Sequence, residues 1–201
     1  MGIFGKQSQN RKGFTIIELI VVITVIGILA AIVLVAYPNY QRQTRNNERK
    51  NDLTQLATAL NAYAMQKNNY MGESSGCGFQ DGGNGWATLT SPGTYSKSVT
   101  KCLEEAGQLK VADNVLDPSG CRSNSGGVCG SSGATPTSAY MKAICTKGGK
   151  AVVYVMGYLE GEPRIDAEVD ALCDPGTLLR YTSTTQKWGT NYGMNYYVKV
   201  L

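Results

Sequence analysis

Hydrophobic and polar positions divide this 201-residue chain into unequal parts. From Leu19 to Tyr37 there are nineteen residues without a charge, and Thr24 is the most polar of them. A helix that spans a bilayer needs about 20 apolar residues, so this run reaches across with little to spare. Gln41 to Asp52 (QRQTRNNERKND) then holds no apolar residue at all. A helix polar on every face is solvated or a spacer, so this piece is expected to project below the rest of the protein. Leu53, Leu56, Ala57, Leu60 and Ala64 follow at three- and four-residue spacing. That pattern predicts an amphipathic helix with one buried face, ending near Asn68-Asn69. Pro38 lacks an N–H and clashes with the preceding turn, so a bend or loosened stretch is expected beside it.

The remainder reads as loop-rich first and strand-rich later. Residues 72–94 and 117–138 are heavy in Gly, Ser, Asn and Pro, which marks loops. A short helix is predicted around Val99–Gln108. The clearest hairpin joins Ala139–Thr146 to Ala151–Leu159 through Lys147-Gly148-Gly149-Lys150, because a Gly-Gly pair supplies the positive φ angles that tight turns require. Leu178–Thr182 and Asn195–Leu201 supply two further strands, linked through a polar turn near Trp188-Gly189. The fold class is therefore α+β: a long N-terminal helix whose amphipathic half packs against an antiparallel sheet of about four strands.

Charge changes this picture only at the N-terminus. Lys6, Arg11 and Lys12 give residues 1–13 three positive charges and no acid. Residues 53–201 carry twelve Lys/Arg against twelve acids, so the overall +4 says nothing about their partners. Nucleic acid binding is not indicated.

The run Lys12-Gly13-Phe14-Thr15-Ile16-Ile17-Glu18 opens the apolar stretch and places one carboxylate inside it. Such a group costs about 2.5–3.5 kcal/mol on insertion scales, so something must compensate Glu18. The basic leader, Gly13, Phe14, Glu18 and an apolar helix containing Gly27 and Ala30-Ala31 together resemble the start of a type IV pilin or type II secretion pseudopilin. The resemblance covers about Gly5 to Tyr40. It implies a membrane-embedded prepilin peptidase that cuts Gly13–Phe14 on the cytoplasmic side and methylates the new amino group, in keeping with the positive-inside rule. It also implies a single-pass inner-membrane precursor with its head outside, an inner-membrane assembly machinery, and a homo-polymer as the extracellular fibre. Glu18 would meet the free amino group of Phe14 on a neighbour, which pairs both charges and sets axial register. Recognition by the membrane machinery is an alternative role for Glu18. Residues 1–13 are then a leader, 14–52 a polymerisation helix and stalk, and 53–201 a globular head. Many family members carry a helix-breaking proline where this chain has Val35. Two plainer readings fit less well. A secretory signal cut near Leu29-Ala30-Ala31 misplaces Glu18 and stops short of the apolar run's end. A simple anchor gives Glu18 no purpose.

Six cysteines (Cys77, Cys102, Cys121, Cys129, Cys145, Cys173) fit an oxidising compartment, and fifteen complete pairings are open. Cys121 and Cys129 bracket a seven-residue flexible loop that closes easily. Pilins often staple a C-terminal loop, which makes Cys145 a possible partner for Cys173 and leaves Cys77 with Cys102. The chain has no CxxC pair and no histidine, so a zinc site would need widely scattered thiolate ligands, and disulfides are the expected use of the cysteines. No metal or cofactor is expected.

Signals for catalysis are poor. Gly72-Glu73-Ser74-Ser75-Gly76 matches the spacing of a nucleophile elbow, but it follows a helix rather than a strand, and the usual histidine base is missing. Asp166, Glu168 and Asp170 alternate with apolar residues and could help hold Ca²⁺, as in some pseudopilin heads. They match no known ligand loop, and exposed acids on a strand face are the ordinary explanation. Tyr192, Tyr196 and Tyr197 could stack on surfaces or bases, but strand tyrosines are usually half-buried packing residues. The chain reads as a structural fibre subunit. A secretion pseudopilin or minor tip pilin is the alternative within the family, and a membrane-anchored extracytoplasmic binding protein is the alternative outside it.

Overall fold

A computed structural model describes residues 13–72, 76–78, 85–88, 97–111, 115–119, 139–177 and 187–200. Its longest element, α1 (Ile16–Lys67), passes through Pro38 without interruption over 52 residues. The expected loosening is absent because proline deletes one bond to the carbonyl four residues back, and the turns on either side hold. The helix stops where Asn68 adopts a φ of 52°, a left-handed conformation that asparagine tolerates. The Asn69 side chain then accepts a bond from the Gly72 amide at 2.8 Å. The chain divides into two compact units, residues 1–41 and 42–201. Every described residue of the first unit is exposed.

The second unit is built on a four-stranded antiparallel sheet in the order β1 (Gly85–Trp86), β2 (Met141–Lys147), β3 (Lys150–Gly157) and β4 (Tyr196–Lys199). The β2–β3 turn uses Gly148 and Gly149 at φ 58° and 76°, the mirror-image turn that matches strand twist. Lys147 faces Lys150 across it. The expected strand at Leu178–Thr182 lies outside the described residues. β1 instead falls in a stretch that reads as loop, since two residues are too few to show a period.

Both faces of the sheet are covered. On one, Leu53, Leu56, Ala57 and Leu60 of α1 and Val99, Cys102 and Leu103 of α2 (Val99–Glu105) pack with Tyr140 and Val155. Ser98 caps α2 by accepting the Lys101 amide at 3.1 Å. On the other, Val169 of α3 (Asp166–Asp170), Leu172, Trp188 of α4 (Trp188–Tyr192) and Met194 cover Ala143, Cys145, Val152 and Met156. Burial on two sides explains why β2 and β3 read as continuous apolar runs rather than alternating ones. It also corrects two expectations. Asp166, Glu168 and Asp170 lie on a short helix, not a strand, and Trp188-Gly189 opens a second short helix rather than a turn. One disulfide serves each layer: Cys77–Cys102 beside α2 and Cys145–Cys173 beside α3, with Cα atoms 6.1 and 5.7 Å apart.

Residues 42–52 overturn the spacer reading. Asn46, Arg49 and Asp52 are buried in the second unit. Arg49 donates to both oxygens of Asp117, at 2.6 and 3.2 Å, with the two side chains 1% and 0% exposed. It also donates to Glu160 at 2.7 Å, and Arg45 adds a bond to the same carboxylate at 2.9 Å. The Asn46 amide exchanges two 2.9 Å bonds with the Glu160 backbone. One turn further on, Tyr140 donates to Asp52 at 2.7 Å. A polar helix surface resembles a solvated one when, as here, its partners lie more than sixty residues away in sequence.

Two consequences can be measured. At Gly157 an added Cβ would lie 2.9 Å from Leu53 Cδ1 and 3.3 Å from the Tyr140 ring. Gly157→Ala should therefore lower stability by about 1–3 kcal/mol in denaturant titration, through overpacking. The second consequence is pH dependence. Hydrogen bonds from Arg45, then Arg49, hold Glu160 down at about 2 from an ordinary 4.5. A depressed folded value contributes stability that is present above pH 4.5 and is lost as pH falls through about 2. Burial pushes Asp52 up to about 6 from 3.8, although the Tyr140 bond opposes it. That group contributes in the opposite sense, favouring the fold below pH 3.8 and losing this as pH rises through about 6. Glu160→Gln should weaken the fold at neutral pH by on the order of 2 kcal/mol and flatten its acid loss. Asp52→Asn should flatten only the decline between about pH 4 and 6, measured by thermal melts at stepped pH.

Candidate functional site

Gly13 and Phe14 precede α1, outside any helix or strand, and Phe14 is 88% exposed. A Cβ built at Gly13 meets nothing within 4 Å. Both residues are thus exposed among the described residues. Thr15 follows, and there the helix begins. Its backbone amide and hydroxyl both donate to Glu18 Oε2 at 2.8 Å, while the Glu18 amide donates back to the Thr15 hydroxyl at 3.2 Å. This reciprocal capping box satisfies amides that the first helical turn leaves without partners. Within the chain, then, Glu18 is compensated by its own helix end. Sequence reasoning missed Thr15 as its partner. The signal was present as Thr-x-x-Glu ahead of an apolar run.

Beyond the cap, Thr24 keeps its polarity within the helix. It donates its hydroxyl to the carbonyls of Val21 and Ile20 at 2.8 and 3.0 Å. Its one donor is thereby satisfied without water, which is what a lipid environment demands. Large apolar side chains from Phe14 to Tyr40 are all half to fully exposed. So continuous an apolar surface requires cover, either from lipid or from other apolar helices.

The other residues singled out fall into place as structure. Asp166 pairs with Arg164 at 2.8 Å, and Glu168 accepts from Tyr197 at 2.7 Å. Asp170 accepts the Gly189 amide at 2.7 Å and bonds Thr190 as well, which ties α3 to α4. These acids are each engaged with protein rather than gathered around a common point. Tyr192 and Tyr197 are half-buried and meet Trp86 and Tyr154 edge-on, at 5.4 and 5.9 Å between ring centres. Tyr196 packs against the α1 core and lies under the Lys50 ammonium at 5.7 Å. Ser74, Cys121 and Cys129 lie outside the described residues.

One buried cation gave no sign of itself in the sequence. Lys142 is 1% exposed, and its ammonium donates to the carbonyls of Met71 and Tyr70 at 2.7 and 3.1 Å. Burial pushes its pKa down to about 7. It sits in β2 and fastens the loop that leaves α1, where Met71 holds a positive φ of 54°. Its bonds make it a fastener of that loop rather than a nucleophile or base.

Comparison with known proteins points one way. Residues 8–34 match the family model described as the prokaryotic N-terminal methylation motif. The chain is 30% identical over 108 residues to the type IV major fimbrial protein FimA of Dichelobacter nodosus, covering 50% of this chain and 69% of that one. It is 37% identical over 72 residues to the type IV major pilin protein PilA of Myxococcus xanthus, covering 36% of this chain and 33% of that one. A type II secretion system core protein G from Pectobacterium carotovorum is 28% identical over 67 residues, 33% of this chain and 43% of the relative. No solved structure matches the chain. With its methylation motif, its exposed apolar helix and its stapled antiparallel head, the chain belongs to the type IV pilin and pseudopilin family, whose members are structural subunits and not enzymes.

Proposed function

We propose that this chain is a type IV pilin. Its precursor sits in the bacterial inner membrane by the apolar part of α1, with residues 1–13 as a cytoplasmic leader. A prepilin peptidase removes that leader between Gly13 and Phe14 and methylates Phe14. The inner-membrane pilus assembly machinery then packs residues 14–41 of many copies into the core of an extracellular fibre, and the head, residues 42–201 including the polar turn that the spacer reading assigns to the stalk, forms its surface. The observation that carries this reading is the bare apolar helix from Phe14 to Tyr40, exposed throughout and interrupted by a single carboxylate near its start. Lipid covers such a surface before assembly, and other copies of the same helix cover it afterwards.

Glu18 supplies register. Both bonds from Thr15 use Oε2, so the cap does not require Oε1, the oxygen we assign to the amino group of a neighbour's Phe14. Apolar surfaces slide past one another with no strongly preferred position, whereas an ion pair out of water has one. A second reading, a type II secretion pseudopilin, is favoured by the likeness to a core protein G. It shares every step up to assembly and differs in the machine that the fibre serves. Electron microscopy of cells lacking this chain separates the two: loss of long surface fibres supports the pilin, and intact fibres with lost secretion support the pseudopilin.

N-terminal mass analysis of protein sheared from cells should find a mature chain that starts at a methylated Phe14. A start beyond Ala31, or an intact Met1, would overturn this reading. Mutations separate the two roles of the helix start. Glu18→Val should insert and be cut normally yet leave cells without fibres when it is the only source. Thr15→Val, which removes the cap but keeps the carboxylate, should weaken the first helical turn by about 1 kcal/mol and still give fibres.

A further inference from the structure

The polar turn of α1 between Arg45 and Arg49 engages the head differently from the apolar face that follows it. Leu53, Leu56, Ala57 and Leu60 are buried, yet they meet their neighbours through contacts with no directional preference along the helix axis. Arg45, Asn46 and Arg49 all converge on Glu160, through its carboxylate and its backbone, while Arg49 also grips Asp117. Arg42 lies against Gly161, where an added Cβ would stand 2.5 Å from the guanidinium and where the φ of 72° independently favours glycine.

What lies behind Glu160 matters most. The adjacent Leu159 amide donates to Asn195 Oδ1 at 2.7 Å, and the Asn195 side chain donates back to the Leu159 carbonyl at 3.0 Å. The Asn195 backbone amide donates in turn to the Gly157 carbonyl at 3.3 Å. Leu159 follows β3 and Asn195 precedes β4, which are paired at the centre and edge of the sheet. A continuous set of directional bonds thus runs from one turn of α1 into the ends of two strands.

We propose that this set is a mechanical clamp, through which tension applied along α1 passes into the sheet. The bonds from Arg45, Asn46 and Arg49 all converge on the one residue 160, so pulling on the helix loads them together rather than one after another. The apolar face that follows them resists slippage far less. The purpose of such a clamp rests on the fibre reading, because only a polymerised subunit is pulled by its N-terminal helix, but its existence does not.

The test is force spectroscopy on the full chain in detergent micelles, held under constant tension by two alternative pairs of handles. One pair joins the N-terminus to Lys150→azidophenylalanine at the hairpin tip, which pulls helix against sheet. The other joins the same position to the C-terminus, which pulls across the sheet alone. Glu160→Gln should open about tenfold faster than the parent in the first geometry, the effect of one charge-assisted hydrogen bond, and at the parent's rate in the second. Arg45→Gln changes a half-exposed side chain at the edge of the cluster and keeps the fold even should Glu160→Gln not, and it should show a smaller acceleration confined to the first geometry. Lys97→Gln, which removes the exposed ion pair with Glu105, should change neither. Equal acceleration in both geometries would mean a general loss of stability and overturn the clamp, and so would no acceleration in either. Fibres counted by microscopy on cells making the same variants keep the two readings apart. Normal fibres alongside a failed force result remove the clamp alone, whereas a parent strain without fibres removes the fibre reading and leaves the force result to decide the clamp.

Discussion

Arg49 is the residue on which the head's arrangement turns. Its guanidinium is removed from water and must find carboxylates, since an unmatched buried charge is several kcal/mol unfavourable. It finds Asp117 as a bidentate partner and Glu160 as a second acceptor. Satisfying one fork therefore fixes three separate pieces of chain against each other: α1, the loop at 115–119 and the segment after β3. Replacing the whole set with apolar groups of equal volume need not weaken the fold, because buried ion pairs tend to break even. What would be lost is uniqueness. Leucine and alanine on α1 accept several axial positions against a sheet; a planar fork aimed at two fixed carboxylates accepts one.

The same physics separates the parts of the fold that are legible in the sequence from those that are not. The apolar stripe from Leu53 to Ala64 and the Gly148-Gly149 hairpin are local patterns whose meaning needs no knowledge of the partner. The stop at Asn68 is local as well. Residues 42–52 mislead because a polar helix face has the same appearance whether it meets water or a matched set of polar groups. Only Asp117 and Glu160, far away in sequence, decide between the two. The second covering layer is hidden for a related reason. Trp188, Val169 and Leu172 sit in segments too short to show a helical period. The acids beside Val169 look like a strand edge, whereas Asp170 in fact bonds the start of α4.

The residues proposed for processing and assembly show the opposite balance. Gly13, Phe14 and Glu18 stand out by resemblance alone, because a motif read by other proteins has to be written in consecutive residues. Thr15 is the exception, even though its spacing to Glu18 is a known helix-start signal. A carboxylate that already has a functional explanation conceals its structural one. The two are compatible, because the cap uses one oxygen of the carboxylate.

The two halves of α1 thus solve one problem in two ways. Near the N-terminus, Glu18 and Thr24 have partners within their own turn of helix, so the proposed passage of the segment from lipid to a packed core of like helices exposes neither group bare. Near residue 49 the polar groups are satisfied only by distant parts of the same chain, so that turn cannot leave the head without breaking several bonds at once. A helix of uniform hydrogen-bonded backbone is thereby given one end whose polar groups have partners within their own turn and one whose polar groups depend on distant parts of the chain. A subunit joined to its neighbours by the first end, as proposed, and to its own head by the second needs both properties in that order.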